Sequence, residues 1–271
     1  MSYITIMPIK SINEVSNPIE SDFKPIKERM DINIPGVINE NIPRRNGQLY
    51  VLTGSGGSGK SSLLMNMFKS KLFYRNIFNN IFYICPSASF QSVDKHPFEK
   101  HDKVYHELTV DLLEDIYNQL IAIKELATKK KEKKKKVFDE EDDPNNSEDE
   151  SSEIQYSCII IDDMASSLKD NAINKQLNKM IIKSRHICCS FIITLQNYYY
   201  LPKILRRQLT YITVFKPQNI ESWNDVCDEL LNMNKDDALT LFNYVFDKQY
   251  NHIDVDLISS IYYKNFNKLI F

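Results

Sequence analysis

Glycine is scarce in this chain, with six in 271 residues, which excludes collagen-like, linker-like and glycine-rich low-complexity architectures. Cysteine is nearly as rare, and the five present (Cys85, Cys158, Cys188, Cys189 and Cys227) contain no CxxC pair. An odd set of thiols set mostly in apolar runs argues against a disulfide framework or a metal site and predicts buried thiols in a reducing compartment. No apolar run approaches the roughly 18 residues of a membrane span, and the amino terminus lacks the basic start and apolar core of a secretory signal. The expectation is a soluble intracellular protein. Neither sign of charge dominates, since 34 basic side chains face 36 acidic ones; contact with a polyanion must therefore come from a local patch.

What is present fits a sizeable α/β domain: 42% of residues are hydrophobic and 26% charged, and a chain of this length buries roughly three quarters of its unfolded surface. Four of the six glycines (Gly54, Gly56, Gly57 and Gly59) fall within six consecutive positions. Residues 1–46 carry Pro8, Pro18, Pro25, Pro35 and Pro43 without a sustained period and read as an extended arm with a short strand at Tyr3–Met7. Residues 47–271 read as the main domain. Strand-like runs at Leu49–Thr53, Asn80–Cys85, Tyr156–Ile161, Ser190–Leu195 and Tyr211–Phe215 alternate with helical stretches at Ser61–Lys71, Val110–Lys130 and Asn174–Arg185. Strands apolar on both faces predict a mostly parallel sheet with helices on both sides. Further helices are expected at Glu221–Leu231 and Asp236–Phe246, and a closing edge hairpin at His252–Leu257 and Ile261–Phe266. Lys129–Lys136 holds seven lysines and one glutamate, and Asp139–Glu153 holds nine acidic residues. The stretch 129–153 therefore reads as a solvated, disordered insertion, with a DNA or partner contact as the alternative.

Gly54-Ser55-Gly56-Gly57-Ser58-Gly59-Lys60-Ser61 fits G-x-x-x-x-G-K-[ST] at every position, between a predicted strand and a predicted helix. Such glycines let backbone N–H groups turn inward around an anion while the helix points its positive end at the same charge. Residues Gly54 to Ser62 are thus the expected cradle of a nucleoside triphosphate, with Lys60 on the β- and γ-phosphates and Ser61 on Mg²⁺. The same glycines satisfy the dinucleotide pattern G-x-G-x-x-G. That reading wants an acidic residue at the end of the second strand, and Phe82-Tyr83-Ile84-Cys85-Pro86-Ser87 ends without one.

Magnesium needs a carboxylate at the tip of a neighbouring strand, and Cys158-Ile159-Ile160-Ile161-Asp162-Asp163 supplies two. Asp162 is the expected Mg²⁺ carboxylate and Asp163 the group that orients or deprotonates the attacking water; a turn or helix cap is the bland alternative. Gln196 ends the strand Ser190–Leu195 and is the candidate γ-phosphate sensor, with Asn197 and Thr194 as substitutes and a solvent-facing glutamine as the alternative. An arginine, from this or a neighbouring subunit, completes such sites; Arg185 is the first candidate and Arg206 and Arg207 the next. His96, His101 and His106 are spaced by five and read as surface residues. Tyr198-Tyr199-Tyr200 beside Lys203, Arg206 and Arg207 suits either a nucleic-acid surface or packing.

The phosphate loop, the Ile-Ile-Ile-Asp-Asp strand, Ser184-Arg185-His186 ahead of a strand ending Thr194-Leu195-Gln196, and the closing Ile253-Asp254-Val255-Asp256 and Tyr262-Tyr263-Lys264-Asn265-Phe266 segments together resemble the poxvirus-type genome-packaging ATPases of large DNA viruses and virophages, in the FtsK–HerA superfamily. The similarity runs from about Gly47 to Phe266. It implies a RecA/FtsK-like P-loop NTPase fold, Mg²⁺ and ATP as cofactors, and a homo-oligomeric ring, a hexamer, that moves double-stranded DNA into a preformed capsid. It also implies capsid or portal-like vertex partners and a place in the viral factory of the host cytoplasm or on the virion. On this resemblance Lys60 and Ser61 fall on the phosphate loop, Asp162 on the metal carboxylate, Gln196 on the sensor and Arg185 on the trans-acting arginine. Many superfamily members carry glutamate where Asp163 stands. A small-molecule or nucleoside kinase and a non-motor NTPase switch in assembly are the competing readings of the same loop.

Overall fold

Among the described residues, nine strands hydrogen-bond into one sheet in the order β3-β2-β4-β5-β1-β6-β7-β8-β9. They are β1 (Leu49–Thr53), β2 (Asn80–Ile84), β3 (Val104–Tyr105), β4 (Ser157–Ile161), β5 (Cys189–Leu195), β6 (Tyr211–Phe215), β7 (His252–Asp256), β8 (Ile261–Lys264) and β9 (Asn267–Lys268). The chain is described here by a computed structural model covering residues 33–93, 95–138, 154–231 and 233–270. The pairings from β3 through β6 are parallel, and β7, β8 and β9 add antiparallel strands at one edge. Every residue of β1, β4, β5 and β6 is buried, as parallel strands covered on both faces require.

Side-chain alternation splits the core in two. Leu49, Val51, Ile159, Ile161, Phe191 and Ile193 face one layer, and Tyr50, Leu52, Cys158, Ile160 and Ile192 face the other. The first layer is built from α3 (Val110–Phe138), α4 (Asn171–Ile182), α5 (Lys203–Arg206), α6 (Ile220–Val226) and α7 (Lys235–Val245). The second is built from α1 (Lys60–Lys69), through Leu64, Met65, Met67 and Phe68, and from Tyr74 and Phe78 after it; the short α2 (Ser87–Gln91) follows β2. Asp170, Asn219 and Asn234 cap α4, α6 and α7 by accepting hydrogen bonds from first-turn N–H groups, each worth about 1 kcal/mol. Helix α1 has no side-chain cap: it starts at Gly59, φ 104°, in the left-handed region.

The compact unit containing the sheet begins at Asp31, so residues 33–46 belong to it rather than to an arm. Ile34, Val37 and Ile42 are buried in the second layer, and Asn33 bridges to Arg45. These residues meet the end of the chain: Asn41 Nδ2 donates to the Phe266 carbonyl at 2.9 Å, Tyr211 OH donates to the Asn41 carbonyl at 2.9 Å, and Arg45 pairs with Asp256 at 2.8 Å. Buried Asp254 accepts from Thr213 Oγ1 at 2.6 Å and from the Phe266 N–H at 2.8 Å.

The lysine run departs from expectation. Helix α3 continues through Phe138, so the disorder predicted for Lys129–Lys136 is corrected to helix. Leu113, Ile116 and Leu120 anchor the amphipathic first half against the sheet. Once a helix is nucleated, lysine propagates it well and complements the negative end of its dipole. The expected strand at Tyr3–Met7 and the acidic block Asp139–Glu153 lie outside the described residues. Four of the five cysteines, Cys85, Cys158, Cys189 and Cys227, are buried. Among the described residues no helix is long and apolar enough to cross a membrane.

Candidate active site

The loop after β1 turns sharply because Gly54, φ 156°, and Gly59 occupy places a side chain cannot. A Cβ on Gly54 would stand 2.6 Å from Phe215 Cβ, and one on Gly59 would stand 3.2 Å from Tyr250 Cδ1. The loop closes on itself through Ser58 N–H to the Ser55 carbonyl at 3.2 Å, and it is tied to β5 through Gly54 N–H to the Leu195 carbonyl, also at 3.2 Å. Lys60, 9% exposed, folds back to donate to the carbonyls of Gly54 at 2.6 Å and Ser55 at 2.9 Å. Burial lowers the pKa of its ammonium group, and Asp163 and Asp162 oppose that shift. Ser58 Oγ is buried with no hydrogen-bond partner among the described residues.

Asp162 ends β4 on the α1 face, 3% exposed, and three hydroxyls converge on it. Thr194 Oγ1 bonds to Oδ1, Ser61 Oγ approaches the same oxygen at 3.4 Å, and Tyr83 OH donates to Oδ2 at 2.8 Å. Strands β2 and β5 flank β4, so each neighbour contributes one hydroxyl. Burial first, and then the charge of Asp162, push the Tyr83 pKa far above the ordinary tyrosine range; the phenol remains a donor. Cys85, beside this group, is pushed up to about 12 by burial, which keeps it an unreactive thiol.

Asp163 adopts a left-handed backbone, φ 58°, held where its N–H donates to Thr194 Oγ1 at 3.0 Å. One threonine therefore positions both carboxylates. Strain at a non-glycine residue of this kind is typical of functional sites. Gln196 Nε2 donates to Asp163 Oδ1 at 3.2 Å, and Ser89 Oγ donates to Oδ2 at 3.3 Å. The structure thus brings Lys60, Ser61, Asp162, Asp163 and Gln196 together at the carboxyl ends of β1, β4 and β5. Ser62 is exposed on the first turn of α1.

Arg185 is not part of this group. It lies in the turn before β5, exposed, with its Cγ 2.6 Å from where a Gly47 Cβ would stand. In a parallel sheet that turn is at the amino ends of the strands, about 15 Å from the loop for a five-residue strand. Arg206 is on the loop side, paired with Glu229 at 2.5 Å and stacked over Tyr198 and Tyr199 with its guanidinium 5.2 and 4.9 Å from the ring centroids; Arg207 is exposed. Tyr198 is buried packing, and Tyr199 and Tyr200 are each 44% exposed. His96 corrects its expected surface position: it is buried against Phe90, ring centroids 4.2 Å apart, with Tyr83 and Phe98 close by, whereas His101 and His106 are exposed.

Sequence reasoning missed Tyr83 and weighed Thr194 only as a substitute for Gln196. In each case the sequence shows only a hydroxyl-bearing residue near the carboxyl end of a mostly apolar strand, and the strand order that gives it a role is not local.

These residues fit Mg²⁺ and a triphosphate. The uncapped start of α1, the orphan Ser58 hydroxyl and the loop lysine are anion-binding groups without an anion partner among the described residues, and Asp162 is a buried carboxylate held by neutral donors beside Ser61. The sequence profile of the Poxvirus A32 protein family matches residues 41–269. The chain belongs to that family. It is a P-loop ATPase of the viral genome-packaging kind. Among solved structures, the DNA-packaging ATPase B204 from Sulfolobus turreted icosahedral virus aligns with TM-score 0.53 at 16% identity, covering 83% of this chain and 99% of that one. The pCW3 conjugation coupling protein TcpA aligns with TM-score 0.51 at 15% identity, covering 77% and 57%. The cytoplasmic domain of the Thermomonospora curvata type VII secretion ATPase EccC aligns with TM-score 0.51 at 14% identity, covering 89% and 29%. At such identities the likeness carries the fold. Comparison with curated proteins returns no match.

Proposed function

We propose that this ATPase is the motor that translocates double-stranded viral DNA into a preformed capsid, working as a homo-oligomeric ring, a hexamer, at a vertex built from capsid or portal-like proteins in the viral factory. The observation that carries the enzymatic part is the Asp162–Asp163 pair fixed by Thr194 beside Lys60 and Ser61; the DNA-packaging part rests on the family.

Bound Mg²⁺·ATP supplies the phosphoryl group to be cleaved and the metal that neutralises its charge. The residues divide the remaining work. The loop N–H groups and Lys60 bind the triphosphate, Lys60 exchanging the carbonyls of Gly54 and Ser55 for phosphate oxygens. Ser61 and Asp162 hold the metal, with Thr194 and Tyr83 fixing the carboxylate so that it need not reorganise. Asp163 takes a proton from the attacking water, and its contact with Gln196 links that carboxylate to the segment leading to Tyr198–Tyr200 and Arg206. The arginine that stabilises the transferring phosphoryl group comes from the next subunit, with Arg185 as the proposed residue; its place at the far end of the sheet puts it out of reach of its own site.

Steady-state ATP hydrolysis with and without duplex DNA tests the motor. Stimulation by DNA of arbitrary sequence, weakening steeply with added salt, is expected. Turnover indifferent to DNA, or dependent on a small hydroxyl acceptor as in a kinase, would overturn it. Mixing Arg185→Ala with Lys60→Ala protein should restore hydrolysis in hybrid rings, because some interfaces then pair an intact loop with an intact arginine. Absence of rescue in rings shown to be mixed would remove Arg185 from its role.

A further inference from the structure

The loop has a second side. Asp162, Asp163 and Gln196 lie on β4 and β5, on one side of β1, so the γ end of a triphosphate in the loop is directed there. On the other side of β1 lie β6 and β7. There a cavity of about 430 Å³ opens against Ser55–Ser58, walled by Phe215-Lys216-Pro217 and by residues 246–251, within the roughly 300–1,000 Å³ of small-molecule sites.

We infer that this cavity receives the base of the nucleoside triphosphate and that Tyr250 is its stacking surface. The inference rests on the nucleoside-triphosphate reading of the loop. Tyr250 is 59% exposed, an aromatic residue in the left-handed region at φ 66°, with Cδ1 3.2 Å from where a Gly59 Cβ would be. Its segment is tied down. Asp247 accepts from Lys264 Nζ at 2.6 Å and from Asn251 Nδ2 at 2.7 Å, Asn251 Oδ1 accepts from Asn265 Nδ2 at 2.8 Å, and Lys264 Nζ also donates to the Tyr244 carbonyl at 2.7 Å. A flat, water-exposed ring carried on this hydrogen-bonded turn at the mouth of the phosphate loop suits a base, whose π-face stacks on it without requiring a particular sequence of hydrogen bonds. Gly59, which its φ of 104° already requires to be glycine, leaves the ring room: a Cβ there would stand 3.2 Å from Tyr250 Cδ1.

Calorimetric titration separates the base from the phosphates. ATP and inorganic tripolyphosphate, each with Mg²⁺, are titrated into the full chain, Tyr250→Ala, Tyr250→Phe and Lys60→Ala. Loss of a stacking ring should weaken ATP about tenfold in Tyr250→Ala, leave tripolyphosphate within about twofold, and be reversed in Tyr250→Phe. Unchanged ATP affinity in Tyr250→Ala overturns the inference, as does an equal weakening of both ligands, which would mean that the ring only braces Gly59. If tripolyphosphate binding survives Lys60→Ala, the phosphate reading of the loop itself fails, an outcome distinct from either of these.

Discussion

Asp163→Asn protein should bind Mg²⁺·ATP with nearly wild-type affinity yet turn it over about 10²–10⁴ times more slowly, the usual loss when a general base is removed. The geometry makes this substitution clean. Asparagine keeps an oxygen for Gln196 Nε2, now 3.2 Å from Oδ1, and its backbone N–H keeps the bond to Thr194 Oγ1 at 3.0 Å. Asparagine also tolerates the left-handed conformation that residue 163 occupies, φ 58°. What disappears is the basicity. Rapid-quench measurement of a single turnover, paired with equilibrium ATP binding, checks both halves; a variant that hydrolyses ATP at more than a tenth of the wild-type rate would move the base elsewhere.

Lys60→Ala should lose nucleotide binding while keeping its fold. The ammonium group now satisfies two loop carbonyls at 2.6 and 2.9 Å, and its burial already lowers its pKa. Removing it relieves a desolvated cation as well as deleting hydrogen bonds, and the two effects offset each other. In wild-type protein a saturating ligand at about one hundred times its dissociation constant adds about 2.7 kcal/mol of stability. That increment should vanish in the variant. Thermal unfolding with and without Mg²⁺·ATP reads it directly, and a ligand-induced rise in Tm that persists in Lys60→Ala would contradict the assigned grip on the phosphates.

The main strands were legible because a parallel sheet covered on both faces forces continuous apolar runs, and Leu49–Thr53, Ser157–Ile161 and Tyr211–Phe215 are such runs. The phosphate loop was legible because its chemistry is local, needing only glycines and Lys60 in sequence. Tyr83 was not: its bond to Asp162 joins residues 79 positions apart and exists only because β2 lies next to β4, an order no local pattern encodes. Residues 33–46 read as an arm because their prolines break any period, whereas Ile34, Val37 and Ile42 dock singly on a surface built by distant segments. His96 was misplaced for the same reason, since its aromatic neighbours Tyr83, Phe90 and Phe98 gather around it only after β2 has formed. Strands β3 and β9, two residues each, are too short to leave a periodic signal.

The contacts joining Asn41, Arg45 and Tyr211 to Asp256 and Phe266 also set a schedule for biosynthesis. One core layer takes side chains from both Ile34 and Phe266, so a nascent polypeptide cannot seal it until Phe266 has left the ribosome. Early-made segments must wait with apolar surface uncovered, a period in which the helical layer and any holding chaperone protect against misassembly.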